Sequence, residues 1–470
     1  MNKQQSLRKN AVVNVIRSLM SILFPIITYP YITRILSTEG LGKFEFSRTI
    51  INYFILVINI GLGQYAIREG SILRKDHLKM QKFSNEMFSI YLWFTLISYF
   101  VLFSLLIFIP AFQGYEKLIL IFSIQIVATT FAVEWVFSIY EDFTFLTLKA
   151  IAVQICAIIL MFLLVKTTKD YTVYAWITTL SFSLAVLFNF QYAKKYITLH
   201  YTKKMNFRKH WNPILYLSAN SIASTIYLSA DIILLGFLAG DHYVGIYSIS
   251  VKIYSIVKSL ADGVIYAVSP RLTFYKSNNK TKEYEKTLND LFWLLLTFLV
   301  PIEIGILFFS KTIIYLIAGN QFINSVSSLI FLTVGMIPSI FFSFLLFTVL
   351  LVNKKEKTIL RATLYTAILN ILGNFIIVPL RKTDGSAIAT VISEFFIACI
   401  AFYYSRHLFK IEFRLKTFLS ILIGGCTVCL ICTLFQTLYL EQIQTMLLSV
   451  GFSFISYTVI LYRLHQIPKI

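Results

Sequence analysis

The sequence predicts an all-α integral membrane protein of about fourteen transmembrane helices, on grounds of composition, recurrence and charge placement. Hydrophobic residues make up 57% of the 470 and charged residues 14%, with a mean hydropathy of +0.75. Soluble domains run to about 25% charged. Apolar runs of the roughly 20 residues that cross a bilayer recur along the chain. Lys and Arg gather in every second gap between those runs.

In order, the runs fall at 11–33, 44–66, 86–109, 117–139, 144–165, 171–193, 213–239, 243–269, 289–309, 323–352, 358–379, 386–405, 417–438 and 443–462. Lys3, Arg8 and Lys9 precede a first run that carries Asn14 and Arg17. Without a short clean apolar core or a small-residue cleavage site, it reads as a first helix and not a removed signal. Runs joined by short turns, such as Gly240-Asp241-His242, are expected to form antiparallel hairpins, because lipid cannot satisfy an exposed loop backbone.

With a cytoplasmic N-terminus, about 29 Lys and Arg fall in cytoplasmic gaps and about eight on the other side. The basic gaps include Arg74-Lys75, Lys194-Lys195 to Lys209, Arg271 to Lys286, Lys354 to Arg361 and Arg406 to Lys416. This bias predicts an even count with both termini cytoplasmic. It also explains the formal charge of +20 through orientation and anionic lipid, so no nucleic acid is expected as a partner. The outward gaps reach only about a dozen residues, too short for the carboxylates and substrate contacts of a membrane glycosyltransferase or polysaccharide polymerase.

Gly42-Lys-Phe-Glu-Phe-Ser47 opens the second run, and Gly245-Ile-Tyr-Ser-Ile-Ser250 opens the eighth, six helices later in the same orientation. A parallel six-plus-six repeat follows, with bundles at 1–200 and 201–405 and two additional helices at 406–470. Polar residues at helical spacing fall on corresponding helices of the two halves. They are Asn10, Asn14, Arg17, Ser21 and Thr28 in the first, and Glu45, Arg48, Asn52 and Asn59 in the second. The seventh carries Asn220, Ser224, Tyr227 and Asp231; the eighth carries Ser248, Lys252, Ser255, Ser259, Asp262 and Tyr266, with Lys258 at the edge.

Small polar residues alone serve to join membrane helices. Adhesion does not require charge, and a guanidinium in hydrocarbon costs roughly 3 kcal/mol on insertion scales. The expectation is therefore a cavity between the halves with a net basic lining. Guanidinium groups suit bidentate pairing with phosphate, and the apolar surround suits a lipid tail. Asp231, Asp262, Glu303 and Glu394 are candidate ion-coupling residues, since an intramembrane carboxylate exchanges a proton as its surroundings alternate between wet and dry. Glu303 follows Pro301, and Glu134 beside Trp135 reads as an interface anchor.

Cys426, Cys429 and Cys432 recur every three residues in an apolar helix with no nearby His, which favours packing over metal. The five cysteines make no disulfide framework. His77, His200, His210, His242, His407 and His465 fall in loops or at helix ends with no ligand or triad spacing. No P-loop is present, and no cofactor or metal is expected. Most Tyr and Phe read as packing and interface anchors; Tyr227 and Tyr266 are candidates to stack on sugars.

An ordered set of fragments then carries a family resemblance over some 370 residues. They are Phe24-Pro25 to Tyr29-Pro30-Tyr31 with Arg34, Glu39-Gly40-Leu41-Gly42, Gly61 to Tyr65 with Arg68-Glu69, and Glu134-Trp135 to Tyr140-Glu141-Asp142-Phe143. Ser269-Pro270-Arg271, Asn353 to Lys357, Asn370 to Asn374 and Asp384-Gly385-Ser386-Ala387-Ile388-Ala389-Thr390 follow. The chain resembles a polysaccharide (O-antigen or capsular) repeat-unit flippase of the Wzx type, in the multidrug, oligosaccharidyl-lipid and polysaccharide exporter superfamily. Many members have Gly-Ala-Ala where this chain has Gly385-Ser386-Ala387.

The resemblance implies two six-helix bundles rocking about a central cavity in the bacterial cytoplasmic membrane. The implied substrate is an undecaprenyl-pyrophosphate-linked oligosaccharide, moved to the outer leaflet by coupling to H+ or Na+. Polysaccharide polymerase and glycosyltransferases are the implied protein partners, and membrane lipids the surroundings. Arg17, Arg48, Lys252 and Lys258 are then assigned to the pyrophosphate and first sugars, with Asn14, Asn52 and Ser255 beside them. The competing role for each cation is an ion pair with Glu45, Asp231 or Asp262. A drug or lipid-precursor exporter of the same superfamily is the alternative transporter, and a sugar-polymerising or sugar-transferring membrane enzyme the alternative of another class.

Overall fold

The computed structural model describes residues 20, 24–59, 61–203, 207, 210–211, 214, 229–438 and 441–464. Every regular element among them is helical. Helix α1 spans 24–35, and α2 spans Thr38–Asn59, opened by the Ser37 hydroxyl accepting the Gly40 N–H at 3.0 Å. Gly61, at φ 55°, takes the left-handed conformation just before α3, Leu62–Leu73. Asp76 caps α4, His77–Phe108, by accepting the Lys79 N–H at 3.1 Å.

A 3₁₀ turn at Pro110–Phe112 leads into α5, Glu116–Thr130. Left-handed Val133 then breaks the span before α6, Glu134–Tyr140. Helices α7, Phe143–Leu164, and α8, Tyr171–Ala193, follow. Between them the backbone N–H groups of Lys166 and Thr167 donate to Asp170, which holds its carboxyl below the ordinary range. Next come α9, Ser229–Ala239, α10, Asp241–Ser277, and α11, Thr281–Ala318, with Pro301 inside it.

A second 3₁₀ turn, Asn320–Phe322, precedes α12, Ser325–Val334, and α13, Met336–Leu345, which continues as a π turn at Leu346–Leu350. The pair is bent by 41° at Gly335. Helix α14 runs Glu356–Ser405, α15 Leu415–Thr437 and α16 Gln442–Arg463.

The long α14 run is two spans. Twelve residues of straight helix rise about 18 Å, yet the Ser386 hydroxyl donates to Asn374 Oδ1 at 3.0 Å. Lys382, at φ 52° and ψ −120°, is where the chain reverses. The described residues hold ten helices long and apolar enough to cross a membrane, eleven with the bent pair; dividing α14 adds one more. The expected first and seventh spans fall largely outside the described residues, so the count of fourteen is not established. Several helices start before their apolar runs, α2 at Thr38 and α4 at His77, because capping starts a helix in the polar zone while hydropathy marks only its hydrocarbon-facing length.

Two compact units, 1–245 and 246–470, divide the chain within the first turn of α10. In the first, Phe44 of α2 meets Phe122 of α5 edge-on and stacks on Tyr174 of α8. In the second, Phe309 of α11 joins Val428, Cys432, Tyr457 and Leu461 of α15 and α16 in one apolar cluster, and the Tyr457 hydroxyl donates to the Thr297 carbonyl at 2.8 Å. Each unit contains the same succession of a 3₁₀ turn ending in a buried Phe, Phe112 or Phe322, then a helix, a break and a further helix. Gly42 and Gly245, the first residues of the two matching hexapeptides, are each the fifth residue of their helix.

Within the first unit these two glycines let the opening turns of α2 and α10 cross closely. A Cβ on Gly42 would fall on the Asp241 carbonyl, and one on Gly245 on the Thr38 carbonyl, whereas one on Gly451 meets no atom within 4 Å. Gly42→Ala and Gly245→Ala are therefore expected to destabilise the fold by about 1–3 kcal/mol each through overpacking. Thermal unfolding of the detergent-solubilised protein checks this, with Gly451→Ala expected to melt like the unaltered chain.

Candidate functional site

In the first unit the polar stripe of α2 is built around Glu45, which is 2% exposed. Its Oε2 pairs with Arg48 Nη2 at 2.7 Å, and its Oε1 accepts from the Tyr29 hydroxyl at 2.6 Å. The i, i+3 spacing brings the two charges onto one helix face, and Arg48 Cζ also lies 5.7 Å from the Phe44 ring centroid. The ion pair set out as the competing role for Arg48 is thus formed. The guanidinium side chain is nevertheless 36% exposed, and its Nε is buried with no partner. With five N–H donors, it retains capacity for a further acceptor. Asn52, one turn on, is exposed; Asp231 of α9 is buried.

In the second unit the corresponding stripe lies on α10. Lys258 Nζ donates to Ser339 Oγ at 2.5 Å and Ser343 Oγ at 3.3 Å, both on α13. The structure holds no ion pair between Lys258 and Asp262; hydroxyls, which also accept from other donors, hold this ammonium. Lys252 is half-buried on the same helix, and Ser255 is exposed, its hydroxyl donating to the Val251 carbonyl at 2.6 Å. Ser259 and Tyr266 are also exposed.

The candidate carboxylates of this unit differ in setting. Glu394 is buried, with Oε1 accepting from the Tyr254 hydroxyl at 3.1 Å and Oε2 without a partner. Asp262 is half-buried with Oδ1 unpartnered. Glu303 Oε1 accepts the Ile337 N–H at 2.9 Å. The break at Gly335 leaves the first N–H groups of α13 without helical acceptors, and Glu303 reaches across from α11 to meet one of them. A carboxylate at that end also meets the positive pole of the helix dipole.

Asn14 and Arg17 of the first stripe, with Asn10 and Ser21, lie outside the described residues, as do Asn220, Ser224 and Tyr227 of the seventh. Thr28 is buried, its hydroxyl donating to the Phe24 carbonyl. Cys426 is exposed, Cys429 half-buried and Cys432 buried along α15. Among the described residues, no group of three or more His, Cys, Asp or Glu is placed to hold a metal ion.

Three polar groups to which the sequence reading gave no role in the site are brought together by the fold. Lys149 donates to Asn189 at 2.5 Å between α7 and α8. Asn370, Asn374 and Ser386 form a network across the α14 reversal. His210, set aside on spacing, is 1% exposed and touches Tyr65 and Glu86. The sequence signal for the last was Glu86 itself, a carboxylate at the head of an apolar run.

The family model described as polysaccharide biosynthesis protein matches residues 7–276, and the MatE model matches 217–376. A protein of Escherichia coli (strain K12) assigned as an O-antigen transporter is 24% identical over 286 residues, 59% of this chain and 67% of its own. One from Haloferax volcanii, assigned as the low-salt glycan biosynthesis flippase Agl15, is 23% identical over 223 residues, 47% of this chain and 46% of its own. In structure the chain is similar to the lipid II flippase MurJ in an inward closed conformation, at TM-score 0.77 and 17% identity over 96% of this chain and 97% of that one. It is also similar to an inward-facing multidrug resistance MATE family transporter, at TM-score 0.56 and 13% identity over 82% and 97%. These likenesses give it a MurJ- and MATE-like membrane transporter fold. With its model matching more than half of the sequence, the chain belongs to the polysaccharide biosynthesis protein family.

Proposed function

We propose that the chain is a flippase, and not an enzyme, that carries undecaprenyl-pyrophosphate-linked oligosaccharide repeat units across the bacterial cytoplasmic membrane by alternating access, driven by a proton or sodium gradient. The observation that carries this reading is the α10 stripe. Ser255, Ser259 and Tyr266 are exposed beside a Lys258 held by hydroxyls, in a helix that passes as a membrane span. Ser255 and Ser259 donate to carbonyls of their own helix and cost little at membrane depth; the charge on Lys258 and the exposed Tyr266 are what call for water or a polar substrate there.

Arg48, Asn52, Lys252, Ser255 and Lys258, with Arg17 and Asn14, take the pyrophosphate and first sugars in this reading. Charge-assisted hydrogen bonds from Arg and Lys suit phosphate oxygens. The second unit also carries an apolar groove of about 440 Å³ lined by Phe298, Pro301, Gly305, Val428, Val450 and Tyr457, a surface that suits part of a polyprenyl tail. The relatives assigned to O-antigen transport and to glycan flipping support the substrate class.

Lys258→Met and the paired change Arg48→Ala with Glu45→Gln, which leaves no buried lone charge, are expected to lower flipping of a defined undecaprenyl-pyrophosphate oligosaccharide in proteoliposomes. Loss of one charge-assisted contact worth about 1.5–3 kcal/mol corresponds to about tenfold or more. Normal flipping by both variants, with normal insertion, would falsify the assignment.

Asp231, Asp262, Glu303 and Glu394 are the proposed coupling carboxylates. Glu303→Gln keeps an acceptor for the Ile337 N–H and removes only the exchangeable proton. It and Glu394→Gln are expected to insert normally and to lose gradient-driven transport while retaining exchange. Transport by the unaltered protein that is indifferent to collapsing both the proton and the sodium gradient would remove this role from all four.

A further inference from the structure

The segment that leaves α8 is fastened along α4. From Thr198 to Thr202 every second backbone N–H donates to a polar side chain of that helix: Thr198 to Gln81 Oε1 at 3.1 Å, His200 to Asn85 Oδ1 at 2.9 Å and Thr202 to Ser89 Oγ at 2.9 Å. Gln81 Nε2 donates in return to the Thr198 carbonyl and, at 3.2 Å, to Asn85 Oδ1. The match is one of pitch. Four residues of helix rise about 6.0 Å, and two residues of extended chain advance about 6.6 Å. Side chains at i, i+4 and i+8 therefore meet alternate residues of a chain laid beside the helix.

The segment that leaves α14 is held in the same way on α11. Asn289 Oδ1 accepts the Glu412 N–H at 2.8 Å, and Asn289 Nδ2 donates to the Lys410 carbonyl at 3.0 Å. One turn on, Trp293 Nε1 donates to the Glu412 carbonyl at 3.1 Å, and Arg414 pairs with Asp290 at 2.8 Å.

The two arrangements correspond position by position. Asn85 is the ninth residue of α4 and Asn289 the ninth of α11. His200 is the seventh residue after α8 and Glu412 the seventh after α14. In each, the Asn carboxamide oxygen accepts the backbone N–H at that place. Both α4 and α11 also lead into a 3₁₀ turn that ends in a buried Phe. Lipid cannot pair the backbone of an extended segment at a membrane helix; here the side chains of that helix do so. Asn289 is fully buried, so opening its contact leaves a buried carboxamide oxygen without a donor.

We propose that Asn85 and Asn289 are two copies of one clasp, each fastening the chain that leaves a six-helix bundle to the third span of that bundle, and that both clasps stay closed during transport. This deepens the alternating-access reading proposed above and rests on it. Each bundle then moves as one body that includes the segment leaving it, 194–202 or 406–414, and neither segment is a hinge. The copies differ in what they ask of the Asn. The contacts of Asn85 run through its oxygen, whereas Asn289 uses both oxygen and nitrogen.

The test follows backbone hydrogen exchange of the full chain in lipid nanodiscs, in the 194–202 and 406–414 segments. Both are expected to be protected. Asn85→Asp, whose carboxylate still accepts the His200 N–H, is expected to keep its protection. Asn289→Asp, which cannot donate to the Lys410 carbonyl, is expected to exchange about tenfold faster at 406–414. Asn85→Leu and Asn289→Leu are each expected to release only their own segment. Unprotected exchange in the unaltered protein, equal behaviour of the two Asp variants, or release of both segments by one Leu variant overturns the clasps.

Closure during transport is checked with Gln81→Cys and Thr198→Cys, joined by a short bifunctional thiol reagent in a chain whose native cysteines are Ser. In proteoliposomes the joined protein is expected to flip undecaprenyl-pyrophosphate oligosaccharide as fast as the same variant treated with a monofunctional reagent. A slower rate in the joined protein means that the segment has to open, and overturns the static role. An unaltered protein that flips none of this substrate counts against the flippase reading, and the exchange rates still decide the clasps.

Discussion

Lipid offers no hydrogen bonds, and this constraint governs the chain from its backbone to its charges. Helices satisfy most of the backbone internally. Small hydroxyls follow suit by donating to the carbonyl one turn back, as Thr33 does to Tyr29, Ser84 to Met80, Thr95 to Tyr91 and Thr366 to Ala362. A Thr or Ser satisfied in this way costs little at membrane depth and leaves the helix surface apolar.

Where a helix breaks, the freed groups need partners from elsewhere. The gap at Gly335 draws the Glu303 carboxylate from α11 to the Ile337 N–H. The reversal at Lys382 is fastened by Asn374 and Ser386. These breaks therefore bring polar and ionisable side chains to places an unbroken span would have kept apolar. The same succession of turn, helix and break occurs once in each unit.

Charges follow the same rule by several routes. Glu45 is answered by Arg48 and Tyr29, and Lys149 by the Asn189 carboxamide. Serine hydroxyls receive the Lys258 ammonium, and His210 meets Glu86. The routes are not equivalent for function. A closely paired charge is largely neutralised, whereas an ammonium held by hydroxyls keeps its positive charge available to an anion. By this criterion Lys258 is better placed than Arg48 to attract a phosphate, although in the sequence pattern Arg48 stood within its stripe and Lys258 only at the edge of its own.

The sequence by itself determined the membrane class, most of the spans and the stripes on the second and eighth helices. Hydropathy and helical spacing are local properties, and bilayer thickness turns them directly into structure. The span at 171–193 agrees with α8 residue for residue, and the pairing of Arg48 with Glu45 was foreseeable because three residues of helix join them. What the tertiary structure alone decided were contacts distant in sequence: His210 with Glu86, Lys258 with Ser339, Glu303 with Ile337. No periodicity encodes these meetings. They depend on which helices pack and at what depth, and that packing decides whether a buried charge is neutralised or left available.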